Sequence, residues 1–140
     1  MASTINASST ANGIVSTADA SGILKVQSNG VTTNAVAWVN FNGTSTTPIT
    51  PRANYNVSSI TKNATGDYTL NFTNALTDAN YVAVCSARQL TSSGYLSVAT
   101  DVNTSGTALT RTTTTYQIQC TNVAGGLNDN PYMQVIVFGN

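Results

Sequence analysis

The chain has 140 residues, room for one domain with a real core, and only 7% of them are charged, against roughly 25% in an ordinary soluble domain. Five Lys and Arg balance five acidic residues, all Asp, which leaves no basic footprint for nucleic acid. Histidine is absent, which removes Ser-His and Cys-His catalytic pairs and the commonest nitrogen ligand of zinc. Thr, Ser and Asn supply close to two residues in every five, yet a hydrophobic fraction of 41% and regularly spaced aromatics argue against disorder. Abundant Thr, Val and Tyr with few long helix formers predict an all-β chain. Near-neutrality also removes one defence against self-association, so ordered oligomers are expected.

Residues 1–34 are Ala/Ser/Gly-rich and carry two small apolar patches, Ile14–Val15 and Ile23–Leu24–Val26. Alone, these bury too little surface to offset chain ordering. The segment is therefore expected to act as an extended anchoring arm, with Ile14, Val15, Ile23, Leu24 and Val26 meeting a partner or sister subunits; a disordered tail is the alternative. It has neither the basic n-region nor the apolar h-region of a secretory signal. No apolar run approaches the roughly 20 residues that span a bilayer, so no membrane partner is expected.

From residue 35 to 140 the rhythm is that of strands and turns, predicting an antiparallel β-sandwich or jelly roll. In "AVAWVNF" (35–41) both faces are apolar, which predicts a strand covered on both sides with Trp38 in the core. Asn42-Gly43 is a strong turn signal, and Pro48 and Pro51 exclude a central strand in the next segment. "YNVSSITK" then turns through Asn63-Ala64-Thr65-Gly66 into "DYTLNF", a predicted hairpin in which Tyr68, Leu70 and Phe72 share one face. "NYVAVCSA" sets Tyr81, Ala83 and Cys85 against Val82 and Val84, and "GYLSVAT" is a shorter strand. "TTTTYQIQC" places Tyr116, Ile118 and Cys120 together, its Thr run suiting an exposed strand face. "YMQVIVF" sets Met133, Val135 and Val137 against Ile136 and Phe138. Cys85 and Cys120 lack metal-type spacing and are expected as buried thiols.

Little chemistry survives a search for it. The aspartates, Asp19, Asp67, Asp78, Asp101 and Asp129, sit at turns or strand edges, where local hydrogen bonding is the usual role, and no catalytic pair is expected. "DVNTSG" (101–106) mimics the start of a calcium loop, but Thr112 stands where the bidentate Glu is required, so it reads as a turn. No metal and no cofactor are expected. The credible binding signal is aromatic: Tyr95 and Tyr132 beside amide-rich loops, together with Arg88, are candidates for glycan contact, while packing in the core or at a subunit interface is the competing role.

The segments "AWVNF" with its Asn-Gly turn, "RANYNVSSI", "GDYTLNF" and "DANY", within residues 37–81, resemble a module near the C-terminus of many bacteriophage virion proteins. These are the tail-fibre-like and appendage proteins of phages infecting cyanobacteria and marine bacteria. The opening "ASTINASST" through "STADASGILKVQSNG" is similar to the particle-anchoring start of phage fibre proteins. The link before Gly66-Asp67 departs from the pattern, and the long shaft usual between anchor and tip is missing. The resemblance implies a non-enzymatic structural protein on the outer surface of the virion, made in the host cytoplasm. Its compactness favours a homotrimeric capsid decoration or cement protein contacting the major capsid protein. The alternative is a short tail fibre or tail-tip adhesin binding host-surface glycans.

Overall fold

The structure, a computed structural model, describes residues 26–28, 31–88, 98–100, 103, 105–122 and 124–139. The expected arm residues Ile14, Val15, Ile23 and Leu24, and also Tyr95, Asp19 and Asp101, lie outside these; Val26 lies within them and is exposed. The described residues form ten strands: β1 (Gln27–Ser28), β2 (Val31–Thr32), β3 (Ala35–Phe41), β4 (Ala53–Tyr55), β5 (Val57–Ala64), β6 (Asp67–Phe72), β7 (Val82–Arg88), β8 (Val98–Thr100), β9 (Thr115–Thr121) and β10 (Tyr132–Phe138). Apart from the β1–β2 hairpin they make two four-stranded antiparallel sheets, ordered β4-β3-β10-β7 and β5-β6-β9-β8. The all-β class expected from composition and the sandwich expected from the rhythm of strands and turns are the observed fold.

Alternation explains the core. Val39 and Phe41 of β3 and Met133, Val135 and Val137 of β10 point inward from one sheet. Tyr68, Leu70 and Phe72 of β6 and Tyr116, Ile118 and Cys120 of β9 meet them from the other. Edge-to-face ring pairs bridge the layers, Phe41 with Tyr68 at 5.3 Å and Tyr81 with Tyr116 at 5.7 Å between centroids. Arg111 closes this core at one side: its guanidinium lies over Tyr81 and Tyr116 and donates to the Tyr81 carbonyl at 2.8 Å. Burial pushes the Tyr81 hydroxyl up to about 12, against the opposing pull of the Arg111 charge.

Trp38 corrects the sequence reading. Its strand is not covered on both sides; Trp38 lies on the outer face, 37% exposed. The apolar run misled because β3 carries a bulge: Ala37 pairs Val137 while Ala35 pairs the next residue, Phe138. Val36 is the extra residue and turns inward beside Ala37, so two consecutive side chains face the core.

The segment read as one strand, "YNVSSITK", is broken at Asn56 into β4 and β5, which belong to different sheets. Asn56 adopts the left-handed conformation, φ 53°, which asparagine tolerates better than most residues. It is buried, donates to the carbonyls of Val36 and Asn74 at 3.2 Å each, and accepts from the Asn74 amide at 2.8 Å. The corner is thus held by a side chain whose polar atoms are satisfied. The Thr run also departs from expectation. Only Thr115 opens β9; Thr112 Oγ1 accepts from the Thr114 and Thr115 amides at 3.1 and 2.9 Å, making a hydroxyl-stabilised turn.

Candidate functional site

The two sheets present opposite outer faces. On the β5-β6-β9-β8 sheet the outward side chains of β6 and β9 are polar and bonded to one another. Asp67 Oδ1 accepts from Asn63 Nδ2 at 2.7 Å and Gln117 Nε2 at 2.9 Å, while Oδ2 accepts from Gln119 Nε2 at 2.7 Å. Asn71 Nδ2 continues the network to Ser59 Oγ and Thr61 Oγ1. These groups are largely occupied by each other.

The β4-β3-β10-β7 sheet differs. Of the six large hydrophobic side chains left exposed among the described residues, five lie on its outer face: Trp38, Val82, Val84, Ile136 and Phe138. Register aligns them in cross-strand rows. Tyr55, Trp38, Ile136 and Val84 stand opposite one another across all four strands, and Phe138 is opposite Val82. The next row is amide and hydroxyl: Asn40, Gln134 and Ser86, with Ser86 Oγ donating to Gln134 Oε1 at 3.0 Å. A shallow groove of about 190 Å³ runs between β3 and β10, lined by Trp38, Val39, Asn40, Gln134, Val135 and Ile136.

At the far end, Tyr132 pairs with Arg88 in register, and the Arg88 guanidinium carbon lies 5.5 Å from the Tyr132 ring centroid. Arg52, arriving from beside β3, places its guanidinium carbon 4.8 Å from the same centroid. Arg52 Nη1 donates to the Phe41 carbonyl at 3.3 Å and lies 3.5 Å from Asn40 Oδ1. The face therefore grades from apolar through amide to an aromatic ring attended by two cations. Aromatic rings meet the C–H faces of sugars, and amides and guanidinium groups answer their hydroxyls, so the amide and Arg–Tyr rows are equipped for carbohydrate. The apolar rows are equipped for protein contact.

A clasp between the sheets fixes this end. Asp129, in the loop before β10, accepts from Lys62 Nζ at 2.5 Å, the Tyr68 hydroxyl at 2.6 Å and the Gly66 amide at 2.7 Å. Burial pushes the Asp129 carboxyl upward, but the bonds from Lys62, Tyr68 and Gly66 outweigh it and leave the group below its ordinary range. Burial and the Asp129 charge drive the Tyr68 hydroxyl strongly upward, so it stays protonated. Gly66 sits at φ 66°, and a Cβ there would meet the Asn128 amide and Cys120 carbonyl at 2.7 Å. Gly43 is equally confined, a Cβ falling 2.5 Å from the Tyr68 hydroxyl. Asn130, fully buried, donates to Cys120 Sγ at 2.8 Å and accepts the Gly43 amide on its carbonyl at 2.8 Å.

Of the glycan candidates, Arg88 and Tyr132 are brought together, and Tyr95 lies outside the described residues. Arg52, Asn40, Gln134 and Trp38 were missed. The alternation of β3 and β10 could have found Asn40 and Gln134, since each interrupts an apolar strand at an outward position. Asp67 and Asp129 differ from expectation in one respect: apart from the Asn63–Asp67 bond, their side-chain bonds are to residues distant in the chain, whereas Asp78 makes the expected local turn, accepting from the Asn80 amide at 2.7 Å. Asn103 similarly organises a turn, accepting from the Ser105 and Thr107 amides. Cys85 and Cys120 are both thiols; Cys120 is buried as expected, whereas Cys85 is only half-buried.

No family model matches the chain, and none of the curated proteins compared matches it. Among solved structures, it is similar to the phiAB6 tailspike determined in complex with oligosaccharides of Acinetobacter baumannii surface polysaccharide. The TM-score is 0.47 and the identity 15%, over 97% of this chain and 30% of the tailspike. The chain thus spans under a third of the length of that protein.

Proposed function

We propose that this chain is a non-enzymatic attachment module of a phage tail, which binds host-surface glycan through the Tyr132 end of the β4-β3-β10-β7 sheet and assembles with copies of itself, as a homotrimer, through the apolar end. The observation that carries this reading is the graded outer face: five exposed large apolar residues at one end, and at the other a tyrosine with two arginines beside outward amides. The sequence likeness to phage appendage proteins supplies the setting. A second copy is the occupant favoured for the apolar rows, because the chain has net charge zero and these rows carry no charged side chain to oppose an identical face.

The test is a panel of immobilised bacterial surface polysaccharides probed with the full chain, beside light scattering of its mass in solution. Saturable binding to a subset, lost in Tyr132→Ala with the melting temperature unchanged, is expected. Absence of binding by correctly assembled protein overturns the glycan reading, and a monomer at micromolar concentration overturns the assembly reading. A capsid decoration shares self-association but has no use for the Arg–Tyr end. The copy number per virion separates the two: a handful for a tail module, a number comparable with the capsid protein for a decoration.

A further inference from the structure

Two cations converge on one ring at the Tyr132 end, and neither has an anion among the described residues. Among the described residues the ion pair is Lys62 with Asp129, in the clasp; Arg52 and Arg88 face no described carboxylate. The Arg52 guanidinium bonds through Nη1 alone, and the Arg88 guanidinium makes no hydrogen bond to a described residue. Only 7% of the chain is charged, and the rest of it holds three cations against five aspartates, so this pair gathers two of the five positive charges at one spot.

Guanidinium groups held near an aromatic ring are restrained by it while retaining N–H groups for a ligand, and their planar fork matches the two oxygens of a carboxylate. Both groups lie within 5.5 Å of the same centroid, so they repel one another until an anion joins them. Beside them, Asn40 and Gln134 offer uncharged partners for hydroxyls. A neutral sugar would use the ring and the amides and leave the charges unanswered.

We propose that the ligand of this site is an acidic polysaccharide, one whose repeating unit carries a sugar carboxylate, and that Arg52 and Arg88 select it. This rests on the glycan reading above and names its substrate class. The carboxylate sits against the arginines while the pyranose face meets Tyr132 and the hydroxyls reach Asn40 and Gln134.

The experiment measures binding of the full chain to uronate-containing capsular polysaccharides, and to the same polymers after chemical reduction of their carboxyl groups to alcohols. Affinity at about 0.15 M salt is expected to fall about ten-fold or more on reduction of the polymer. Arg52→Gln and Arg88→Gln should each weaken binding to the native polymer by a larger factor than binding to the reduced polymer, narrowing the gap between the two. Equal affinity for native and reduced polymers overturns the carboxylate inference and leaves the glycan reading standing. Binding to none of them, nor to neutral polysaccharide, overturns both. Poly-glutamate, or vesicles of phosphatidylglycerol, bound as tightly as the native polysaccharide would show a site that reads charge rather than sugar, and would also overturn the inference.

Discussion

The outer faces of the two sheets are built from the same alternation and reach opposite ends. On β6 and β9 the outward polar side chains are bonded to neighbours, with Gln119 Oε1 the buried atom left over: Asp67 alone takes bonds from Asn63, Gln117 and Gln119. On β3, β10 and β7 the outward positions hold Trp38, Ile136, Val84, Phe138 and Val82, with two arginines on Tyr132. Polar groups bonded to each other have little to offer a ligand, because a newcomer must break bonds as good as those it makes. Apolar rows, and arginines that meet no carboxylate among the described residues, gain by meeting something. One face completes the fold and the other is the one we propose meets partners.

The largest expected effect comes from placing a charge among the apolar rows. Val84→Asp should weaken self-association by about 2 kcal/mol or more, read by light scattering across a dilution series, with little change in the monomer's denaturant midpoint. A wild-type-like mass would show that copies meet elsewhere. On the opposite face, Asp67→Ala strands the amides of Gln117, Gln119 and Asn63 and should cost about 1–3 kcal/mol of folding stability, measured by urea unfolding. Glycan binding and oligomeric mass should stay as they were; if binding fails too, the division between the faces is not what separates folding from function.

The clasp supports the working end and brings a pH dependence. The Asp129 carboxyl is depressed in the folded chain, so its stabilising effect is fully present above the ordinary aspartate range, about 3.9, and is lost as pH falls through the depressed folded value. Urea midpoints should therefore drop at the acid end of a titration, and Asp129→Asn should flatten that part of the profile. An unchanged acid limb in the variant would assign the loss to other carboxylates. The smallest effect is expected at Thr61, exposed on the polar face and accepting from Asn71. Thr61→Ala should shift stability by no more than about 0.5 kcal/mol and leave mass and binding alone.

Much of the fold was legible because period-two alternation is strict where one face is buried. The inward sets of β6, β9 and β10 follow from pattern alone, and the β5–β6 hairpin from its polar link. Two features were not. The bulge at Val36 shifts the alternation of β3 by one residue, which disguised an exposed Trp38 as core. The corner at Asn56 is a matter of one backbone dihedral, invisible in a run that otherwise reads as a single strand. The site was half legible: Arg88 and Tyr132 stand out as types, whereas Arg52 joins them only because β4 pairs with β3 and β10 lies on the other side of β3. The cross-strand register that assembles the apolar rows is likewise set by pairing, not by local sequence.

The chain has one tryptophan, and it stands in the middle of the face assigned to partners. Acrylamide quenching of Trp38 emission is therefore the most direct measurement of that assignment. We expect the quenching constant to fall as the protein is concentrated through its assembly range, and to fall further on adding a bound polysaccharide. A quenching constant that stays unchanged, while light scattering shows an oligomer and the polysaccharide is bound, would contradict it and move both contacts to another surface.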